Sequence, residues 1–473
     1  MSVNTGAPAA APARLTPRMT VILVLLLSAQ FMLAVDFSIL NVALPVIGDG
    51  LGFTLANLQW IATAFALCAA GFTLFFGRIA DLFGRRRLFL GGLAVLGLSS
   101  LAGGLATTPE LLIAARVFQG LATAAVTPAG LSLLTTSFPE GPLRERALGL
   151  NGALMSAGFT TGAILGGLLT DLLSWRWAFF INVPVALAVL IVAPIVIKES
   201  LPEKRPRLDA PGALLVTLGL LSVVHGFSQA GEAGWSAPLT WGSLVVGAVL
   251  LVLFVLVESR VGAPLVPVHI LRRRTVAWGN IAGFVAFLTE TSLVFLLTLY
   301  LQNVLGFSPL AAGLSFAVLG AGTVLGGVFA PRVIGATSTR ATLLIGGAVQ
   351  GAATLALLFL GTGQGSMPLL LVATFVGGVG NMLVIVGFMV IATSGLPDGE
   401  QGLATGLATM TQQIGITVGT PVMSAIATSA IVGTGAAATL GGLTWAIAVN
   451  AAIVLAGVLT SALFLGGTAR ERG

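Results

Sequence analysis

Fourteen apolar runs of about 20 residues each, almost free of charge, alternate along this chain with short charged clusters. A run of that length matches the ~30 Å hydrocarbon core of a bilayer at ~1.5 Å of rise per residue. In lipid a helix satisfies its own backbone hydrogen bonds, so each run is expected to cross as a helix. Strands of a membrane barrel would read instead as alternating segments of roughly ten residues, and that pattern is absent. Only 8% of the 473 residues are charged and 56% are hydrophobic, against roughly a quarter charged in soluble proteins. A soluble fold of this length would have too little polar surface to face water. The expected class is an all-α polytopic membrane protein.

The runs fall near 19–40, 54–76, 88–106, 109–133, 145–170, 177–197, 211–229, 239–257, 276–302, 309–330, 341–361, 367–392, 402–427 and 440–466. An even number of crossings puts both termini on one side. With that side cytoplasmic, the inner segments hold Arg14 and Arg18, then Arg78, Arg85, Arg86 and Arg87, then Arg144 and Arg146. Further along they hold Lys198, Lys204, Arg205 and Arg207, then Arg260, Arg272, Arg273 and Arg274, then Arg332 and Arg340, and last Arg470 and Arg472. These are 20 of the 22 basic residues, as positively charged inner loops require. Arg176 alone falls outside, and Arg116 lies within a run.

The first 18 residues, rich in Ala and Pro, precede an apolar run as a signal peptide would. The expectation is an anchor that stays as the first helix, because many runs follow. A net charge of +6 does not indicate nucleic acid, since the basic residues sit at helix ends rather than in one patch. Cys68 is the single cysteine and lies inside a run, so neither a disulfide framework nor a thiol metal site is expected. His225 and His269 are too far apart to pair on a metal. No cofactor is indicated: the chain has no G-x-x-x-x-G-K-[ST] phosphate loop, and energy for any transport has to come from an ion gradient.

The chain repeats itself. Leu51-Gly52-Phe53-Thr54 follows the first run and Leu305-Gly306-Phe307-Ser308 follows the ninth. Ala147, Gly149, Leu150, Gly158 and Gly162 recur 257 residues later as Ala404, Gly406, Leu407, Gly415 and Gly419. Runs 1–6 and 9–14 thus read as duplicated six-helix bundles. The expected organisation is a cytoplasmic tail (1–18), an amino-terminal bundle (19–197), a linker with two inserted helices (198–275), a carboxy-terminal bundle (276–466) and a short cytoplasmic tail (467–473), with no soluble domain.

The loop between runs 2 and 3 reads Gly77-Arg78-Ile79-Ala80-Asp81-Leu82-Phe83-Gly84-Arg85-Arg86-Arg87. It resembles the G-x-L-A-D-R-x-G-R-[RK] loop of the major facilitator superfamily, with Leu82 in place of the usual basic residue. The glycines allow a tight turn and close helix approach. Asp81 can meet the positive end of a helix dipole and a nearby arginine, a contact suited to a gate. A loop that merely obeys the charge rule would need neither the glycines nor Asp81. The equivalent loop, Gly327 to Arg340, reads as a degenerate gate, with Pro331 where the acid would be.

Asp36-Phe37-Ser38-Ile39-Leu40-Asn41-Val42-Ala43-Leu44-Pro45 resembles the L-D-x-T-[IV]-V-N-V-A-L-P segment of the fourteen-helix drug:proton antiporter family within that superfamily. Asp36 lies ~25 Å from the cytoplasmic boundary, where a carboxylate is costly unless paired, hydrated or protonated. Arg116-Val117-Phe118-Gln119-Gly120 resembles the superfamily's R-x-x-Q-G segment and falls at a similar depth. The resemblance implies that runs 1 and 4 both line a central cavity, so Asp36 and Arg116 are expected to meet directly or through water. Movement of Arg116, or arrival of a cationic substrate, would then release or recapture a proton. A purely structural ion pair is the alternative.

Gly158, Gly162, Gly166 and Gly167 in run 5 resemble the antiporter motif G-x-x-x-G-P-x-x-G-G, with Ala163 in place of proline; generic close packing of glycines would read the same way. Trp175-Arg176-Trp177-Ala178-Phe179-Phe180-Ile181-Asn182-Val183-Pro184 resembles a further segment of that family, its tryptophans serving as interfacial anchors. Glu290, near the middle of run 9, has no basic residue in runs 9–14 to pair with. It has to be protonated or face water, which suits a second proton site or a counter-charge, or else a neutral hydrogen-bond donor between helices. Gln30, Asn41, Gln119, Tyr300, Gln302, Gln412 and Gln413 are expected to add polarity to a substrate cavity otherwise walled by Phe, Met and Leu.

The resemblance implies two six-helix bundles plus two inserted helices and a proton-coupled secondary transporter, not an enzyme. It would export lipophilic or cationic drugs or antibiotics by alternating access, acting as a monomer among the lipids of a bacterial inner membrane. An endogenous metabolite or lipid as cargo is the alternative.

Overall fold

The computed structural model describes residues 15–138, 142–199, 209–262, 264, 268–393 and 398–465. Apolar composition makes these segments helical, and small polar residues followed by proline start several of them. Helix α1 spans Pro17–Leu51 and is capped by Thr16, whose hydroxyl accepts from Met19 N. It ends at Gly52, whose φ of 77° fits a left-handed cap that other residues resist. There follow α2 (Trp60–Phe83), α3 (Arg85–Gly104), α4 (Pro109–Ser137, capped by Thr108), α5 (Pro142–Leu172) and α6 (Asn182–Val196). The inserted pair is α7 (Ala210–Ala233) and α8 (Pro238–Glu258). The second set is α9 (Arg274–Leu299), α10 (Pro309–Ala336, capped by Ser308), α11 (Thr339–Ala356), α12 (Met367–Thr393), α13 (Asp398–Ala430) and α14 (Ala436–Phe464). Among the described residues, ten helical stretches are long and apolar enough to cross a membrane; α2, α5 and α7 contain shorter apolar segments.

Arginines tie helix ends together. Arg18 Nη2 donates to Val196 O at 2.8 Å, and Arg86 Nη1 donates to Ile197 O at 3.1 Å. The beginnings of α1 and α3 therefore lie beside the end of α6, at what we call the basic end. Arg340, the counterpart of Arg86, donates to Ala462 O near the end of α14. Each cation meets the last carbonyls of a neighbouring helix, where the helix dipole is negative. Arg176, the exception to the charge rule, does the same at the far end: it donates to Ala106 O at 2.9 Å, just past α3, and lies over the Trp175 ring. Arg14, Arg144, Arg146, Lys204, Arg205, Arg207, Arg470, Arg472 and His269 lie outside the described residues or side chains.

Glycine contacts fix the register of the duplication. A Cβ on Gly158 would meet Phe31 O, and one on Gly415 would meet Phe284 O; Gly162 and Gly419 face Val35 O and Leu288 O in the same way. Helix α9 thus repeats α1 at an offset of 253 residues, as α13 repeats α5 at 257. Gly120 against Phe65 O and Gly378 against Leu319 O set α10 254 residues after α2. The change from 253 to 254 coincides with a π-turn, Tyr300–Val304, that adds one residue at the end of α9. This register corrects one expectation: Gly335, not Pro331, stands at the position of Asp81, and Pro331 stands at that of Gly77. Ser338 and Gly84 are counterparts too, each preceding a helix. Ser338 caps α11 with its own hydroxyl, accepting from Ala341 N at 3.1 Å.

Within the amino-terminal bundle, Gly158, Gly162 and Gly166 seat α5 against the backbone of α1. Gly167 faces another way: a Cβ there would stand 2.5 Å from Pro309 O at the start of α10. The two bundles also touch where Gly313 approaches Ala163 O and where Thr417 Oγ1 donates to Ala66 O at 3.0 Å. All these crossings lie toward the far end. Inserted helix α7 packs on both α2 and α13, and Thr217 Oγ1 donates to Gly71 O of α2 at 2.9 Å.

A methyl at Gly162 has no room: it would press on the Ser38 hydroxyl and stand 2.6 Å from the Val35 carbonyl, which is backbone and cannot turn away. Gly162→Ala is expected to lower unfolding stability by about 1–3 kcal/mol. Gly91→Ala, inside α3 where nothing lies within 4 Å, is expected to leave it unchanged or raise it by up to about 1 kcal/mol; thermal melts of the two purified variants check the contrast.

Candidate functional site

Asp36 is fully buried inside the amino-terminal bundle. Its Oδ2 receives Arg116 Nη1 at 3.1 Å. Its Oδ1 receives Gln119 Nε2 at 3.3 Å and also Asn182 Nδ2. Arg116, 1% exposed, donates further to Gln119 Oε1 and Ile61 O, both at 2.9 Å, and its guanidinium lies 4.1 Å from the centre of the Phe65 ring. Ser100 Oγ accepts from Gln119 and Asn182. Five helices, α1, α2, α3, α4 and α6, contribute to the cluster around this one carboxylate. The expected meeting of Asp36 with Arg116 is direct.

The second bundle holds a neutral version. By the register above, Thr289 is the counterpart of Asp36. The Trp-Ala-x-x-x-Asn run at Trp445 repeats that at Trp177, making Asn450 the counterpart of Asn182. Asn450 Nδ2 donates to Thr289 O and Ser292 Oγ, both at 3.0 Å, and Gln350 Nε2 donates to Thr289 Oγ1 at 3.2 Å. Thr374 stands where the first bundle has Arg116.

Glu290 is therefore not the twin of Asp36. Its counterpart is Phe37, and like Phe37 it looks between the bundles. Two cavities lie there. One is lined by Glu290 and Val294 of α9, Ser38 and Asn41 of α1, Ala163 of α5 and Phe316 of α10. The other is bounded by Phe37, Asn41, Phe65, Arg116, Thr291 and Thr420. Asn41 borders both, and its Nδ2 is buried with no hydrogen-bond partner among the described residues. Glu290 has no ion pair or hydrogen bond among them either. An acid, a free amide donor and an aromatic wall thus converge on the space between the bundles.

Other residues expected in the cavity lie elsewhere. Gln30 is buried between α1 and α4, donating to Thr127 O at 3.1 Å. Gln119 belongs to the Asp36 cluster. Tyr300 is buried at the far end, its hydroxyl donating to Gly361 O at 2.7 Å. Gln302 donates to Val42 O there. Gln412 and Gln413 are half-buried on α13 and border neither cavity. The common reason is that a polar residue on an interior face takes the nearest free carbonyl or carboxylate, and membership of an inward face does not say which interior it enters.

The loop between α2 and α3 is held by a residue the sequence reading did not single out. Gly84, at φ 109°, precedes α3, and Glu199 closes over it. Its two carboxylate oxygens accept from Arg86 N at 3.0 Å and Arg87 N at 3.1 Å, capping the positive end of α3 with a formal charge. Gly77 approaches Pro128 of α4. Arg85 is half-buried and partnered, and Arg86 reaches Ile197 as described. The side chains of Arg78 and Asp81 lie outside the described set. Lys198-Glu199 directly after an apolar run was the available signal, overlooked because it opens the segment assigned to the linker.

A family model described as Major Facilitator Superfamily matches residues 26–420. Cephamycin export protein CmcT of Amycolatopsis lactamdurans is 39% identical, over 86% of this chain and 85% of its own length. Puromycin resistance protein pur8 of Streptomyces alboniger is 37% identical, over 89% and 85%. Among solved structures, that of a mutant form of the nucleoside transporter NupG superposes with a TM-score of 0.65 at 11% identity, covering 94% of this chain and 99% of that one, which speaks to the fold alone. With the duplicated bundles, the buried Asp36–Arg116 pair and the cavities between them, these likenesses place the molecule: the chain belongs to the major facilitator superfamily, a family of membrane transporters rather than enzymes.

Proposed function

We propose that this protein exports hydrophobic or cationic antibiotic-like molecules from a bacterial cell in exchange for protons. The reading has all fourteen helices crossing the inner membrane, both termini and the basic end cytoplasmic, and a monomer whose bundles rock about a site near the bilayer midplane. The relatives' names, an exporter of cephamycin and a puromycin resistance protein, support the cargo class. An endogenous metabolite is the second reading, favoured by the relative named for cephamycin export; its accumulation in a deletion strain decides between the two.

One observation carries the coupling: Glu290 faces the cavity without a counter-charge, while Asp36 is closed off by Arg116. Glu290 is then the acid placed where a substrate between the bundles would meet it, and so the exchangeable one. Asp36 exchanges a proton only when Arg116 moves, for example when the α1–α2–α4 contacts rearrange. Proton and cationic substrate then compete for the same carboxylate, which is what obligatory exchange requires.

An inward proton at 100 mV contributes ~2.3 kcal/mol, so losing it lowers the attainable accumulation ratio about 50-fold. Glu290→Gln is expected to abolish drug-driven proton movement in proteoliposomes with that loss of concentrating power. If Glu290→Gln and Asp36→Asn both leave the pH dependence of export intact, the assignment of coupling to these acids fails.

Removing one partner of a buried pair costs about 3–5 kcal/mol because the other charge is stranded. Asp36→Asn is expected to be destabilised by that order, and Asp36→Asn with Arg116→Leu by clearly less. A denaturation series on the single and double variants measures the difference; equal losses would remove the pair from its central place.

A further inference from the structure

Helices α1 and α9 are copies, yet each departs from regular hydrogen bonding at the same level near the outer end, and by a different means. In α1 the cause is Pro45, which has no N–H and leaves the Asn41 carbonyl without its helical donor. In α9 the cause is the extra residue of the π-turn, where Leu305 N reaches back to Tyr300 O at 3.0 Å. The two irregular stretches meet across the bundle interface. Gln302, inside the π-turn, extends its Nε2 to Val42 O at 2.7 Å. On the other side of the turn the Tyr300 hydroxyl is fixed to Gly361 O, in the connection between α11 and α12.

The arrangement gives the turn two different attachments. Tyr300 binds it to its own bundle, so that contact survives any rigid-body movement of one bundle against the other. Gln302 binds it to the opposite bundle, so that contact cannot. Around it, Gly167 rests on Pro309 O and Gly313 on Ala163 O. These backbone approaches separate without leaving a polar group unpaired. Among the described residues the Gln302 amide makes the one side-chain hydrogen bond at that outermost level from one bundle to the other; the Thr417–Ala66 bond lies deeper.

We infer that Gln302 is an outer-gate residue: its bond to the Val42 carbonyl holds the outer end shut and breaks at each opening. The inference rests on the alternating-access reading above. It also assigns a purpose to the π-turn. Without the added residue, Gln302 would be turned away from the site it occupies, and the duplicated register would continue unbroken from α9 into α10.

The test measures sidedness without substrate. Cys68 is the single cysteine; replacing it by Ala and placing a reporter at Thr420→Cys, which lines the second cavity, gives one labelling site. Labelling by a membrane-impermeant maleimide is timed from each face of oriented vesicles. Gln302→Leu is expected to speed labelling from the outer face about 3- to 10-fold, the population shift that one lost hydrogen bond allows, and to slow it from the inner face. Gln302→Asn keeps the amide but falls short of Val42, and is expected to act in the same direction. It decides the matter should the leucine variant fail to fold. Outer-face rates unchanged in the folded variants, with equal total labelling after denaturation, would overturn the gate. A reporter reached from the same single face with and without an added hydrophobic amine would instead count against alternating access itself, so the two failures are told apart.

Discussion

A carboxylate far from water sets the terms for the first half of this molecule. Asp36 is fully buried, and in that position its charge is supportable only with a counter-charge and donors for its remaining lone pairs. Arg116, Gln119 and Asn182 supply them, and each is held in turn: Arg116 by Ile61 O and the Phe65 ring, the other two by Ser100. Five helices are thereby committed to one geometry. Gly158, Gly162 and Gly166 bring α5 into backbone contact with α1, closing the side of α1 that faces away from the carboxylate cluster. The second bundle reaches the same packing with amides and hydroxyls around Thr289, so it needs no charge to be whole. Its one membrane acid, Glu290, is free to serve the space between the bundles.

Much of the architecture was legible in the sequence because the bilayer imposes a length on every helix and a charge on one side of it. The arginines marked helix ends before any coordinates, and the structure adds what they do there: Arg18, Arg86 and Arg340 close the carbonyl ends of neighbouring helices. Asp36 and Arg116 could be paired from their similar depth together with the family resemblance, which sets runs 1 and 4 on a common interior. What depth cannot supply is azimuth. Gln30, Gln119 and Asn41 are all polar residues at interior positions, yet only Asn41 reaches the cavity. The difference is a rotation about the helix axis that composition does not record.

The duplication was visible too, but its register was not. Repeated glycines placed α5 over α13 correctly. The single residue added by the π-turn was hidden, because Leu51-Gly52-Phe53 and Leu305-Gly306-Phe307 still align after it. Carried back through α9, that alignment would equate Glu290 with Asp36. The glycine–carbonyl contacts show that Glu290 stands with Phe37, one residue and about 100° further round the helix. A one-residue error of that size is the difference between an acid sealed inside a bundle and one facing the cavity between the bundles.

The inserted pair has a mechanical consequence of its own. Helix α7 lies across the line where α2 meets α13, and it is pinned to α2 through Thr217 and the Gly71 carbonyl. Because α7 packs on both α2 and α13, any shift of one bundle against the other would have to shear one of its two contacts. The joint between α2 and α13 is thus covered by a helix that belongs to neither bundle. No such cover lies over the opposite joint, between α5 and α10, among the described residues, so the two matching joints between the duplicated bundles differ: one is roofed by an inserted helix and the other is bare.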